Sequence, residues 1–148
     1  MHVAINAHLL AHTANFRRAG VSHYVEALLH HLGHIDTQNR YTVYTTRGVD
    51  AAALGLPANF VVRPSRLPTI NPRVRIPWEQ LIAPLSLARE GADVYHGVLN
   101  VMPLFAGIPS VVTIHDLSAM LFPQTFRRIN RMYTRWAINV SAKRAAHI

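Results

Sequence analysis

The amino-acid sequence predicts an α/β protein organised on a doubly wound parallel sheet. Segments rich in β-branched and aromatic residues alternate with segments of helical periodicity, the pattern produced by right-handed crossovers between parallel strands. Val111 to Asp116 (Val-Val-Thr-Ile-His-Asp) is a short apolar run after Pro109, as expected of a strand buried on both faces. Its His-Asp end would emerge at the carboxyl edge of a parallel sheet, where open α/β sheets bind ligands.

Taken in order, Val3 to Ala7 reads as the first strand, followed by a polar, arginine-bearing loop from His8 to Ala19 that closes on Gly20. Val21, Tyr24, Val25, Leu28, Leu29 and Leu32 then fall on one face of a helix of about three turns. Ser22 is placed to cap its start and Gly33 to end it in the left-handed conformation. Tyr41 to Thr46 is rich in β-forming residues and predicts the second strand. Ala51 to Leu54 predicts a short helix and Phe60 to Val62 a third strand. Arg63 to Pro77, with four prolines and four arginines, reads as a long irregular loop, a kind of segment that often carries function.

Helical spacing resumes at Trp78, Leu81, Ile82 and Leu85, with a bend at Pro84 and a stop at Gly91. Asp93 to His96 predicts the fourth strand, a loop runs from Gly97 to Pro109, and Val111 to Asp116 is the fifth strand. A long helix is expected from about Thr125 to Ala146, with Phe126, Ile129, Tyr133, Trp136, Ala137 and Val140 facing inward. His147 and Ile148 read as the first residues of a sixth strand, so the chain is expected to be part of a longer protein.

The 148 residues suffice for one domain with a real core, and half of them are apolar. No apolar run approaches the roughly 18 residues of a membrane span. The N-terminus lacks the features of a signal peptide. The absence of cysteine excludes disulfides and thiolate metal sites and fits a cytoplasmic protein. The formal charge of +8 favours anionic partners; fourteen of the fifteen basic residues are arginine, which suits bidentate recognition of phosphate or carboxylate and is also what a GC-rich genome produces.

In the common strand order 3-2-1-4-5, three loops meet at one edge: His8 to Gly20, His96 to Pro103, and His115 to Ser118. Gly20 precedes a helix, where backbone N–H groups can cradle a phosphate, and Arg17 and Arg18 can add contacts. His115 is a candidate proton acceptor or sugar hydrogen-bonding group, with Asp116 beside it; His96 is a further candidate that can equally be a strand cap. The dinucleotide pattern Gly-x-Gly-x-x-Gly is absent after the first strand, against a nicotinamide dehydrogenase. His30 and His34, one turn apart, lack an accompanying carboxylate and read as surface residues. Arg127, Arg131 and Arg135 form a basic stripe, suited to an anionic membrane surface or simply to solvation.

These residues resemble a known family. Gly-Val-Ser-His-Tyr and its helix (Gly20 to Leu32), Tyr-Thr-Val-Tyr, Trp-Glu-Gln-Leu (Trp78 to Leu81), Asp-Val-Tyr-His (Asp93 to His96), Pro-Ser-Val-Val-Thr-Ile-His-Asp-Leu (Pro109 to Leu117) and the final arginine-rich helix follow one another as in the N-terminal, Rossmann-like domain of retaining GT-B glycosyltransferases of family 4, the group-1 type that includes many mannosyltransferases. The resemblance implies that residues 1–148 are the acceptor-side half of a two-domain enzyme. The donor-binding half, with its paired glutamates, would lie outside this sequence, and these residues alone would be inactive.

It further implies a nucleotide-sugar donor, a sugar or lipid-linked acceptor, and transfer with retention on one face of the sugar, with no metal or other cofactor. Gly20 would approach the donor diphosphate and His115 the transferred sugar. The chain departs from the family in having Ala19 or Ser22 where a second glycine often stands. A cytoplasmic location, with peripheral contact to the inner face of a membrane, is expected. So is self-association through an uncovered sheet edge or apolar surface. The alternative reading is a non-catalytic α/β module that binds anionic partners, a membrane surface or nucleic acid. No nucleic-acid-binding motif or stacking platform is present, so nucleic acid is not the expected partner.

Overall fold

The computed structural model describes residues 1–10, 20–122, 124 and 128–148. Five strands form one sheet, all parallel, in the order β3-β2-β1-β4-β5. They are β1 (His2–Ala7), β2 (Arg40–Thr45), β3 (Phe60–Pro64), β4 (Val94–Gly97) and β5 (Ser110–Val112). Beyond β5, His147 makes a parallel bridge to Val111, and Val112 donates to the His147 carbonyl at 3.0 Å. The predicted start of a sixth strand thus lies where the sequence put it.

Each face of the sheet carries its own core because successive side chains alternate across it. Ile5, Ala7, Tyr41 and Val43 point to one face, where α1 (Val21–Ile35) lays down Val25 and Leu29. Ala4, Tyr44, Tyr95 and Val112 point to the other, against Trp78, Ala83 and Leu87. The predicted apolar stripe of α1 is the face that packs. The helix does not end at Gly33, however. It runs on to Ile35, and Gly33 is needed for close approach instead: a Cβ there would come within 2.9 Å of the Pro57 ring. Nor does Ser22 cap the helix; Gly20 occupies the N-cap position and Ser22 is buried inside the first turn.

Residues 63–77 are more ordered than their prolines imply. Asn71 caps a short helix α2 (Pro72–Pro77), its side chain accepting from the Arg73 N–H at 3.0 Å. Pro72 costs nothing there because the first helical N–H has no intrahelical acceptor. A π-helical turn (Trp78–Ile82) follows, closed by the Ala83 N–H bonding back to the Trp78 carbonyl, and then α3 (Ala83–Glu90) with Pro84 in its first turn. The wide turn between Pro77 and Pro84 re-registers a backbone in which two N–H donors are missing. Gly91, at φ 62°, ends α3 as predicted, with its own N–H and that of Ala92 returning to Ala88 and Leu87 in the double bond of a Schellman cap.

The fifth strand is shorter than the apolar run. β4 ends at Gly97, so after Val112 the ladder has no continuing partner. Thr113 donates to the Gly97 carbonyl at 2.9 Å and accepts from the Asn100 N–H at 3.1 Å, and the chain leaves the sheet. The one-turn helix α4 (Ser118–Leu121) follows, then α5 (Arg128–Arg144). Ala137, Ile138 and Ser141 of α5 are buried, whereas Trp136, expected inside, is 51% exposed. The strict 3.6-residue stripe through Tyr133 and Val140 places Trp136 at its margin, not its centre. Phe126 and the start predicted at Thr125 lie outside the described residues, and no helix among the described residues is long and apolar enough to cross a membrane.

Candidate functional site

The carboxyl ends of β1 and β4 lie side by side, with their onward connections diverging, which makes this the switch point of the sheet. On the α1 side, the Gly20 carbonyl accepts from the Tyr24 N–H at 2.9 Å, opening the helix. Gly20 takes φ 25°, and the space where a Cβ would sit is open. The Tyr24 ring meets the His115 ring edge-on, centroids 5.0 Å apart. Gly20 and His115 therefore share one rim, as predicted.

Thr113 ties this side together. Its hydroxyl lies 3.1 Å from the Tyr24 hydroxyl and 2.9 Å from His96 Nε2. His96 sits within β4, not in the loop beyond it, and burial pushes its pKa down. Its ring is hydrogen-bonded to Thr113, and burial disfavours its charged form. His115 is half-buried; its Nε2 is 2.7 Å from the Val98 carbonyl, and its backbone N–H donates to Asn100 Oδ1 at 2.8 Å. That carbonyl can only accept, so Nε2 carries the proton, and a neutral ring keeps its Nδ1 lone pair for another partner.

Asp116 is exposed, and its Oδ1 accepts from both the backbone N–H and the hydroxyl of Ser118. Those bonds hold its carboxylate below the ordinary range, aided by His115. Its visible work is to turn the chain into α4. Arg17 and Arg18 lie outside the described residues. His30 and His34 are exposed at the far end of α1, and no cluster of three metal-ligating side chains occurs among the described residues.

The opposite side of the same edge holds a polar group that sequence reasoning passed over. Trp78, Glu79 and Gln80 point three ways from the π-helical turn. The Trp78 ring packs edge-on against His8 at 4.1 Å and Tyr44 at 5.3 Å. Glu79, 2% exposed, accepts from the Asn6 amide at 2.8 Å, with Arg75 Nε 3.6 Å from the same oxygen. Gln80 clamps the loop after β4, donating to the Met102 carbonyl and accepting from the Leu104 N–H, both at 3.1 Å.

Burial raises the Glu79 pKa to about 7 against the opposing pull of Arg75 and Asn6. Nearby His8 is fully buried, its Nδ1 2.7 Å from the Thr69 hydroxyl. Burial and then the Arg75 charge lower its pKa to about 4. One carboxyl and one imidazole thus have their pKa values moved toward each other and past, a condition typical of functional sites and also of structural networks. The signal in the sequence was present: a glutamate between a core tryptophan and an amide is hard to place on a solvated face.

Beside Glu79 a cleft of about 260 Å³ opens between α2, the loop after β4 and α5. Asn100, at φ 63°, lines it and also holds the His115 amide. The rim and the cleft therefore meet at this residue. Compared with models of protein families, with curated proteins and with solved structures, the chain matches none.

Proposed function

We propose that this chain is the acceptor-side, N-terminal domain of a retaining GT-B glycosyltransferase of the family-4 type, moving a sugar from a nucleotide-sugar donor to a sugar or lipid-linked acceptor. The observation that carries the reading is the Tyr24–His115 ring contact at 5.0 Å, which joins the glycine-led start of α1 to the end of the Val-Val-Thr-Ile-His-Asp run at the sheet's switch point. The ordered motifs of the family resemblance run through these same elements. In this reading the positive end of α1 at Gly20 faces the donor diphosphate. His115, oriented by Val98 and Asn100, hydrogen-bonds the transferred sugar in the cleft between the two halves. The reaction needs no metal. Asp116 shapes the loop that presents His115, and Arg17 and Arg18 supply anion contacts.

The test is a screen of nucleotide sugars with a form of the protein that includes the donor-binding half. Transfer with retention is expected, and His115→Ala should lower kcat by about 10²-fold, the scale of losing one positioned hydrogen-bonding group at a reacting centre. Unchanged turnover in that variant would remove His115 from the site.

A second reading, a module that binds anionic membrane surfaces, draws on α5. Met132 is 69% and Trp136 51% exposed, and Arg131 and Arg135 lie one residue before each, the composition of an interfacial helix. Flotation with phosphatidylglycerol vesicles that is lost in Trp136→Ser and absent with phosphatidylcholine would favour it.

A further inference from the structure

We propose that His30 and His34, at the carboxyl end of α1, form a two-histidine site for a single divalent transition-metal ion of the nickel–zinc class. The inference does not depend on the transferase reading, since His34 lies about 15 Å along the helix from Tyr24 and the rim. Residues four apart share one face of a helix, so the two rings leave it one above the other. Both are exposed, and both line a cleft of about 180 Å³ whose other wall is Gly55, Leu56 and Pro57. The cleft is held in shape by two glycines. Gly33 lets the Pro57 ring lie against the helix, where a Cβ would stand 2.9 Å from it, and Gly55 turns the chain at φ 58°.

Charge and size select the ligand. The chain has fifteen lysines and arginines, yet none falls between Gly20 and Asn39 or between Gly48 and Val62, the two segments that wall the cleft. The negative end of the α1 dipole lies here as well, which favours a cation. Asp36 caps the helix two residues after His34, but both its oxygens are engaged: Oδ1 by the Gln38 and Asn39 N–H groups, Oδ2 by the Asn39 amide and the Tyr41 hydroxyl. It adds negative charge without becoming a third ligand, so the protein supplies two nitrogen donors and water completes the shell. A water takes about 30 Å³, so the cleft holds an ion with several waters. It falls short of the roughly 300 Å³ at which small-molecule pockets begin. Imidazole nitrogen suits nickel, copper and zinc, whereas magnesium and calcium prefer oxygen.

The untagged chain should be titrated with Ni²⁺ and Zn²⁺, with Mg²⁺ as the hard-cation control, by calorimetry and by amide NMR. Saturable binding of at least one of the two transition metals is expected, with broadening or shifts centred on His30, His34 and Leu56. His30→Ala and His34→Ala should each weaken it by at least about tenfold, the lower end of what losing even an outer-shell partner costs a metal site. His31→Ala, exposed on the same helix but outside the cleft, should leave it unchanged. All three side chains are exposed, so none of these variants disturbs the core. Absence of saturable binding by both Ni²⁺ and Zn²⁺ would overturn the proposal. So would signals centred on another histidine, binding of Mg²⁺ as tight as that of Zn²⁺, or a loss in His31→Ala as large as in His30→Ala.

Discussion

The Asn6 side-chain amide donates to Glu79 Oε1 at 2.8 Å across 73 residues of sequence. This bond joins the central strand to the π-helical turn and fixes a carboxyl that is 2% exposed. Beneath it lies His8, whose main-chain N–H donates to the other end of the same Asn6 side chain at 3.2 Å. One side-chain amide thus ties the Glu79 carboxyl to the backbone of His8, whose ring bonds Thr69 instead.

Their shifts make opposing pH slopes. Glu79 titrates near 7 in the folded protein against an ordinary 4.5. Its folded pKa is raised, so stability is full below about 4.5 and is lost as the pH rises through about 7. That loss amounts to about 3 kcal/mol. His8 titrates near 4 against an ordinary 6.5. Its folded pKa is lowered, so stability is full above about 6.5 and is lost as the pH falls through about 4, again by about 3 kcal/mol. Between pH 4.5 and 6.5 the two slopes nearly cancel. Urea unfolding across this range should show the stability of wild type minus that of Glu79→Gln falling by about 3 kcal/mol from pH 4.5 to 7. Parallel profiles would show that Glu79 is not held as described.

Gly97→Ala should be among the most damaging single-methyl changes in the chain. A Cβ on Gly97 would overlap the backbone carbonyl oxygen of Val101 and press on the Tyr95 ring at 3.3 Å. Neither neighbour is a flexible side-chain end, so the loop after β4 must move. A loss of about 3 kcal/mol is expected, measured by chemical denaturation. Faster amide exchange at His115 should accompany it, because Asn100 rides on the same loop.

Gln80→Ala should loosen that loop while leaving the sheet intact. The variant removes both bonds that Gln80 makes, to the Met102 carbonyl and from the Leu104 N–H. The expected cost is about 1–3 kcal/mol, read as a lowered Tm, with the Leu104 amide losing its protection from exchange. A Leu104 amide as protected as before would show that the clamp is dispensable.

The architecture was legible because it rests on local periodicity. Alternation of β-branched runs with helical segments such as the Val21–Leu32 stripe predicted the parallel sheet, and its strand order is the common one for sheets of this kind. Apolar burial at a fixed period requires no knowledge of distant neighbours. Element ends were less legible. β5 stops at Val112 because β4 stops at Gly97, and α1 passes through Gly33 because Pro57 lies against it; both causes sit far away in sequence. Residues 63–77 looked irregular because a proline count does not reveal that Pro72 occupies a first-turn position behind Asn71.

By itself, then, the sequence determined the layered α/β plan with its parallel sheet, since this follows from repeating side-chain chemistry along the chain. Only the tertiary structure decided that Glu79 is buried against Asn6 beside Arg75, that His96 bonds the Thr113 hydroxyl, and that Asn100 joins the rim to the cleft. Burial, and the pKa values and unpaired donors it creates, depends on which remote segments close over a residue. No periodicity within a single segment encodes that.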